Sequence, residues 1–122
     1  MAKSLELYKR FIDDLVETRE CVLARRFREK MMMPPNTEEL KAQNDLIANL
    51  NDDDRMWISR LLQSARDGGI HDTLRYLNEE IVFNDMKISV GGVELPVEPF
   101  GMTLYQDWVG RTEGDYDWSD ED

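Results

Sequence analysis

Apolar side chains that recur at helical spacing constrain the fold of this chain more than any other feature. From Leu5 they return every three or four residues as far as Leu23 and Phe27, as on the buried face of an amphipathic helix. Pro34-Pro35 ends the pattern, because proline lacks an amide donor and disfavours helix at the preceding residue. The pattern therefore predicts a first helix of roughly seven turns, over about 5–32.

The same spacing predicts three further helices in the first two thirds of the chain. They cover about 37–49, 53–67 and 70–82. Asn36 and Glu39 resemble a capping box that opens the second predicted helix, because a side-chain oxygen and a carboxylate three residues later can each accept a backbone amide. The chain up to residue 82 is thus predicted to be almost entirely helical.

Gly68-Gly69 separates the third and fourth predicted helices. Gly68 suits the left-handed conformation that closes a helix, and Gly69 with Asp72 suits the start of the next one. At the other end of the third helix, Asp52 or Asp53 is the expected N-cap. We refer to the stretch Gly68–Asp72 as the Gly-Gly joint.

After residue 85 the apolar period shortens from helical to alternating. Residues 87–90 and 93–96 read as two strands joined by Gly91-Gly92, which suits the positive φ angles of a two-residue hairpin turn. Thr103 with Gln106 forms a second capping-box pattern, and it predicts a short helix over 104–109 that Gly110 closes.

Together these elements predict a mostly α (α+β) fold, with a four-helix bundle-like core, one β-hairpin and a short C-terminal helix. Residues 1–112 are expected to form a single globular domain, and 113–122 an acidic, flexible tail. The first predicted helix is longer than a compact bundle of this size needs, which favours a homodimer in which it packs across the interface.

The net charge of −11 on 122 residues excludes several classes of partner. It argues against direct binding of nucleic acid and against anionic membrane surfaces. The charge is uneven: residues 1–33 carry +2 and residues 34–122 carry −13. No apolar run is long enough to span a bilayer, and Cys21 is the single cysteine, so a reducing, cytoplasmic setting is expected.

The single histidine lies within the Gly-Gly joint, beside two carboxylates. His71 with Asp67 and Asp72 could form a catalytic group in which the imidazole acts as general base. Asp67 and His71 are also the candidate metal ligands. One histidine is a thin ligand set, however, and no phosphate-binding, zinc-protease or triad pattern accompanies it. The alternative is a structural turn between two helices.

Four residues are candidates for contact with a partner. Arg19 and Arg26 fall inside the apolar stripe of the first predicted helix, where they either pair with a neighbouring helix or form a built-in binding site. Tyr116 and Trp118 lie among the acids of the tail and could anchor it in a basic groove. The tail could instead dock on basic residues of its own chain or of a neighbouring subunit.

The sequence favours a small acidic cytoplasmic protein that acts as a non-catalytic interaction or regulatory module, as a homodimer, without a cofactor. Its expected partner is a basic protein surface. One alternative is an enzyme, metal-dependent or based on His71, centred on the Gly-Gly joint. Another is an acidic mimic of nucleic acid that inhibits a DNA-binding protein. Whether the chain is an enzyme stays open, and the missing catalytic motifs count against it.

Overall fold

The computed structural model describes residues 2–114 and 118. Within these residues the order of elements is α1 (Ala2–Glu17), α2 (Val22–Glu29), α3 (Glu38–Asn49), α4 (Asp52–Phe83), β1 (Ser89–Val90), β2 (Val93–Glu94) and α5 (Leu104–Glu113). The predicted fold class is confirmed: four helices, a two-stranded hairpin and a C-terminal helix make a mostly α protein with a small β part. No helix of the described part is both long and apolar enough to cross a membrane.

The first predicted helix is wrong as a single element, because it divides into α1 and α2. Thr18 and its neighbours leave the helix, and Cys21 starts a new one with an extended backbone. The Cys21 sulfur accepts the amide of Ala24 at 3.4 Å, as an N-cap does. Lys30, in the left-handed conformation with φ 55°, ends α2 before the prolines are reached. The homodimer was expected because the first predicted helix was unusually long. The division into α1 and α2 removes that argument.

The caps of α3 and α4 each differ by a residue or more from the predicted ones. Thr37, and not Asn36, caps α3, since its hydroxyl accepts the amide of Leu40 at 3.1 Å. Asn51, and not an aspartate, caps α4, since its Oδ1 accepts the amide of Asp54 at 2.8 Å. Any of these short polar side chains can cap a helix, so the sequence alone does not show which of the neighbouring residues is the N-cap.

The predicted break between the third and fourth helices is wrong, because the Gly-Gly joint lies within one continuous helix. α4 runs without interruption through Gly68 and Gly69, and neither glycine has a positive φ angle. Each glycine costs a helix interior about 1 kcal/mol relative to alanine. Regular helix hydrogen bonding and the apolar faces on both sides outweigh that cost. Asp72 consequently lies in mid-helix and caps nothing.

The predicted hairpin is confirmed. β1 and β2 pair antiparallel with Val90 opposite Val93, and both turn glycines have positive φ angles, 55° and 80°. The capping box at Thr103 and Gln106 is also confirmed. α5 extends past the predicted end, because Gly110 is a buried helical residue and Gly114 is the left-handed cap.

The chain forms two compact units. Residues 1–19 and 69–122 make the first, called here the terminal unit, and residues 20–68 make the second, the middle unit. In the terminal unit a core joins α1, the second half of α4 and α5. Its buried members are Tyr8, Ile12, Leu74, Leu104 and Trp108. Because α1 and α5 pack directly on each other, side chains that are far apart in the sequence come into contact.

The middle unit consists of α2, α3 and the first half of α4. Its buried hydrophobic residues are Ala24, Phe27 and Ile47. Arg26 is buried among them and donates to the amide oxygens of Gln43 at 2.6 Å and Asn44 at 3.2 Å. Arg26 thus pairs with a neighbouring helix, one of the two predicted alternatives, through hydrogen bonds to neutral amides of α3.

Candidate functional site

Trp118 lies in a cluster of charged and aromatic side chains from the terminal unit. Asp13 on α1 is its central polar group. The Trp118 indole Nε1 donates to Oδ2 of Asp13 at 2.8 Å. Arg111 on α5 donates to both oxygens of the same carboxylate, at 2.7 Å and 3.1 Å. One carboxylate therefore orients both the guanidinium and the indole.

Aromatic and cationic groups contact the Trp118 ring. Phe100 stacks on it with 5.2 Å between centroids and 28° between planes. The Arg111 guanidinium lies 4.7 Å from the ring centroid and the Lys9 ammonium 5.9 Å. Lys9 also donates to the Trp118 carbonyl oxygen at 3.4 Å. We call Lys9, Asp13, Phe100, Arg111 and Trp118 the Trp118 cluster.

The contacts of the Trp118 cluster suit a tryptophan side chain. A carboxylate accepts the indole N–H, two cations lie near the ring, and a phenyl ring stacks on it. In the structure the cluster holds a residue of the same chain, and Trp118 is half-buried there.

A buried hydrogen-bonded pair connects α1 and α5 near the Trp118 cluster. The Tyr8 hydroxyl on α1 donates to the carboxylate of Asp107 on α5, which is fully buried. Asn78 of α4 accepts the amide of Leu104 at 2.9 Å, and thereby satisfies a donor at the first turn of α5. These bonds set the position of α5, and therefore that of Arg111 one helical turn beyond Asp107.

His71 lies on the second half of α4, against α5. Its ring contacts Tyr105 edge to face, with 5.0 Å between centroids. Its Nδ1 lies 3.4 Å from Oδ1 of Asp72, which is exposed. These two contacts, with an aromatic ring and with a neighbouring exposed carboxylate, are ordinary for a histidine near the surface of a helix.

Asp67 belongs to the middle unit, whereas His71 and Asp72 belong to the terminal unit. Asp67 accepts a hydrogen bond from Gln63 at 2.9 Å, within α4. Among residues 2–114 and 118, no group of three or more His, Cys, Asp or Glu side chains is placed to hold a metal ion. The catalytic and metal-binding roles suggested for Asp67, His71 and Asp72 stay predictions.

The four suggested partner contacts occupy different surroundings. Arg26 is 5% exposed and bonded within the middle unit. Arg19 follows α1 and is half-buried. Trp118 is held in its cluster, and Tyr116 lies outside the described residues. The structure therefore shows none of the described three as a fully exposed side chain.

A small apolar pocket lies between the hairpin, α1 and α4 of the terminal unit. Its volume of about 30 Å³ exceeds the roughly 10–15 Å³ that a cavity needs to hold a water molecule. Its lining residues are Tyr8, Ile81, Met86, Lys87, Ile88, Glu94, Leu95, Pro96, Val97 and Leu104. Lys87 and Glu94 pair with each other at 3.6 Å.

Sequence reasoning missed the partners of Trp118. Asp13 lies on α1 and Arg111 on α5. The two are separated by 98 residues, and no local spacing signals such a pair. A weak signal was present in the isolated Trp118 itself, because a lone tryptophan in an acidic segment needs a surface on which to pack.

Comparison with known proteins identifies the family but no function. No curated protein and no solved structure matches the chain. One family model does match, and it covers residues 1–120, nearly the full length of the sequence. The chain therefore belongs to the DUF6547 family, a family of unknown function.

Proposed function

We propose that this protein is a non-catalytic, homodimeric interaction module whose acidic terminal unit binds a basic surface of a partner protein. The observation that carries the proposal is the distribution of charge between the two units. The terminal unit has seven Lys/Arg and 17 Asp/Glu residues, a net charge of −10. The middle unit has eight and nine, a net charge of −1. Almost the whole excess charge therefore belongs to one unit.

The acidity of the terminal unit does not reside in the tail alone. Twelve of its 17 carboxylates lie in the described residues. The exposed ones are Glu6, Asp14, Glu17, Asp72, Glu79, Asp85, Glu94 and Glu113. Of the basic residues, Lys9 and Arg111 are engaged in the Trp118 cluster. A surface of this kind attracts basic partners and repels anionic ones.

The Trp118 cluster supports the same proposal. It holds Trp118, a residue of the acidic C-terminal segment, on α1 and α5 of the terminal unit. The arrangement supports the alternative in which the tail docks on basic residues of its own chain, here Lys9 and Arg111. A cytoplasmic setting is part of the proposal, on the single unpaired cysteine.

The experiment compares two variants of equal net charge. The first neutralises three exposed carboxylates of the terminal unit: Glu6→Gln, Asp14→Asn and Glu79→Gln. The second neutralises three of the middle unit: Glu20→Gln, Glu38→Gln and Asp45→Asn. Each is used to capture proteins from a cell extract at about 50 mM and about 500 mM salt, since screening weakens a charge-driven complex.

The proposal predicts that the unmodified protein captures basic proteins at low salt and releases them at high salt. The terminal-unit variant should lose most of this capture, whereas the middle-unit variant should retain it. Equal losses in the two variants would show that only total charge matters, and would refute a binding surface on the terminal unit. Capture that resists high salt would refute the charge-driven mechanism.

A further inference from the structure

The middle unit leaves an unusual amount of apolar surface uncovered. All of its residues, 20–68, are described, and three hydrophobic side chains among them are buried. Eight large hydrophobic side chains are exposed: Val22, Met31, Met32, Met33, Leu46, Met56, Trp57 and Leu61. A small unit with so little buried apolar surface gains stability when a partner covers what it exposes.

The two most exposed of these side chains lie on one face of α4. Trp57 is 60% and Leu61 67% exposed, and they are one helical turn apart. Ser64, Ala65 and Gly68 continue the same face, and all three are exposed. We call these five residues the α4 stripe. A Cβ added at Gly68 would meet no atom within 4 Å, so the stripe has room for the close approach of another helix.

The flank of the α4 stripe carries opposite charges one heptad apart. Asp53 and Arg60 lie on the same side of the stripe at about 100° per residue, and both are exposed. The Arg60 guanidinium lies 5.0 Å from the centroid of the Trp57 ring, which holds it beside the stripe. Two antiparallel helices bring like flanks together, so a flank with one acid and one base complements itself.

We propose that the α4 stripe pairs antiparallel with the α4 stripe of a second copy of this chain. The proposal rests on the homodimer of the proposed function and names its surface. A second copy is favoured as the occupant because Asp53 of one α4 faces Arg60 of another α4 only when the two helices run antiparallel. A two-fold axis supplies that reversal and makes the ion pair twice.

The register follows from the apolar pair. When Trp57 of one copy packs beside Leu61 of the other, Arg60 and the Asp53 of the second copy are about 7.5 Å apart along the axis. The Arg60 side chain, which rests on Trp57 in the single chain, reaches that aspartate by extending toward the C-terminal end of α4. The small residues Ser64 and Ala65 then face the first turn of the opposite α4, where large side chains would hold the helices apart.

The first test is the oligomeric state of the full chain, measured by analytical ultracentrifugation from about 1 to about 100 µM. We expect a monomer–dimer equilibrium in this range. Leu61→Glu should raise the dissociation constant at least about tenfold, because each dimer buries two uncompensated carboxylates. Leu46→Glu is the matched control, since Leu46 is also exposed and also in the middle unit but lies on α3. It should leave the constant unchanged.

The second test addresses orientation. Asp53→Lys and Arg60→Glu should each raise the dissociation constant by about threefold to tenfold at low salt, because each creates two like-charge contacts. The double variant Asp53→Lys/Arg60→Glu restores both pairs with their signs exchanged, and should return the constant to near its original value. Far-UV circular dichroism of each variant checks that α4 remains helical.

The outcomes distinguish the surface from the dimer itself. A monomer at every concentration would overturn both the homodimer and the α4 pairing, while the basic-partner experiment would still stand. A dimer that Leu61→Glu does not weaken, or that Leu46→Glu weakens equally, would overturn the α4 stripe as its surface. Single reversals that the double variant fails to rescue would overturn the antiparallel arrangement.

Discussion

The bond between Tyr8 and Asp107 makes the stability of the terminal unit open to a direct experiment. Tyr8→Phe removes one hydroxyl and retains the ring, which packs edge to face on Phe100 with 6.1 Å between centroids. The Asp107 carboxylate then loses the donor from α1. Because both side chains are buried, at 2% and 0% exposure, water cannot easily take the place of the hydroxyl.

The size of the effect follows from this burial. Removing one partner of a buried hydrogen bond costs about 1–3 kcal/mol, because the group left behind keeps its desolvation penalty, and the full burial of Asp107 places the cost toward the upper end of that range. We therefore expect Tyr8→Phe to lower the free energy of unfolding by about 2–3 kcal/mol. The corresponding fall in melting temperature for a chain of this length is roughly 6–15 °C.

Urea unfolding followed by tryptophan fluorescence is the suitable assay. Trp108 is buried next to Asp107, so in a Trp57→Phe/Trp118→Phe background its emission reports on the terminal unit. The dependence of the unfolding free energy on urea should be unchanged, since the surface exposed on unfolding is the same. Tyr76→Phe is the control, because Tyr76 is exposed, and it should shift stability by less than about 0.5 kcal/mol.

A double-mutant cycle with Asp107→Leu decides whether the bond itself is responsible. Once Asp107 is replaced by an apolar side chain, Tyr8→Phe leaves no buried polar partner unsatisfied, and its cost should fall below about 1 kcal/mol. An equal cost of Tyr8→Phe in both backgrounds would refute the reasoning, because it would trace the loss to packing of the ring.

Three further changes, each made in the chain with Trp57 and Trp118 in place, test other parts of the structure by urea unfolding followed by far-UV circular dichroism. Trp118→Ala should cost about 1–2 kcal/mol, because it removes the stacked ring and the indole bond to Asp13; an unchanged stability would contradict the docking of this residue. Lys30→Gly should stabilise the middle unit by about 1 kcal/mol, because glycine adopts the left-handed conformation without a steric cost. His71→Ala should cost no more than about 1.5 kcal/mol for the lost contact with Tyr105, and added zinc should leave the melting temperature of both forms unchanged; a zinc-induced rise that His71→Ala abolishes would instead revive the metal-site alternative.

Features decided within a few residues were predictable from the sequence. The hairpin turn needs positive φ angles that Gly91-Gly92 supplies without strain. The capping box of α5 requires two side chains three residues apart, and Thr103 with Gln106 supplies them. In both cases the interacting groups are adjacent in sequence, so tertiary contacts had little opportunity to override them.

The predicted helix boundaries were wrong where the local sequence signals were weak or competed with packing. A cysteine is a poor N-cap by propensity, so Cys21 gave no reason to divide α1 from α2. Gly68 and Gly69 were interpreted as a stop because glycine commonly ends helices. Two glycines cost a helix about 1 kcal/mol each. The uninterrupted α4 shows that the packing of the helix on both sides of them outweighs that cost.

The candidate site was the least predictable part of the molecule. Asp13, Phe100 and Arg111 meet Trp118 only because α1 and α5 pack together. His71 attracted attention as the single histidine, a criterion of composition that carries no geometry. Periodicity identifies which face of a helix is buried, but it does not identify which other helix covers that face.

The split arrangement of the terminal unit has a consequence for synthesis of the chain. Tyr8 and Asp107 are 99 residues apart, and at about 5–20 residues per second a ribosome needs on the order of 5–20 s to deliver the second after the first. During that interval α1 has no α5 on which to bury Tyr8 and Ile12, whereas every segment of the middle unit has already emerged. The nascent protein therefore exposes the apolar face of α1 until α5 has emerged, and during this period chaperone capture and aggregation compete with folding.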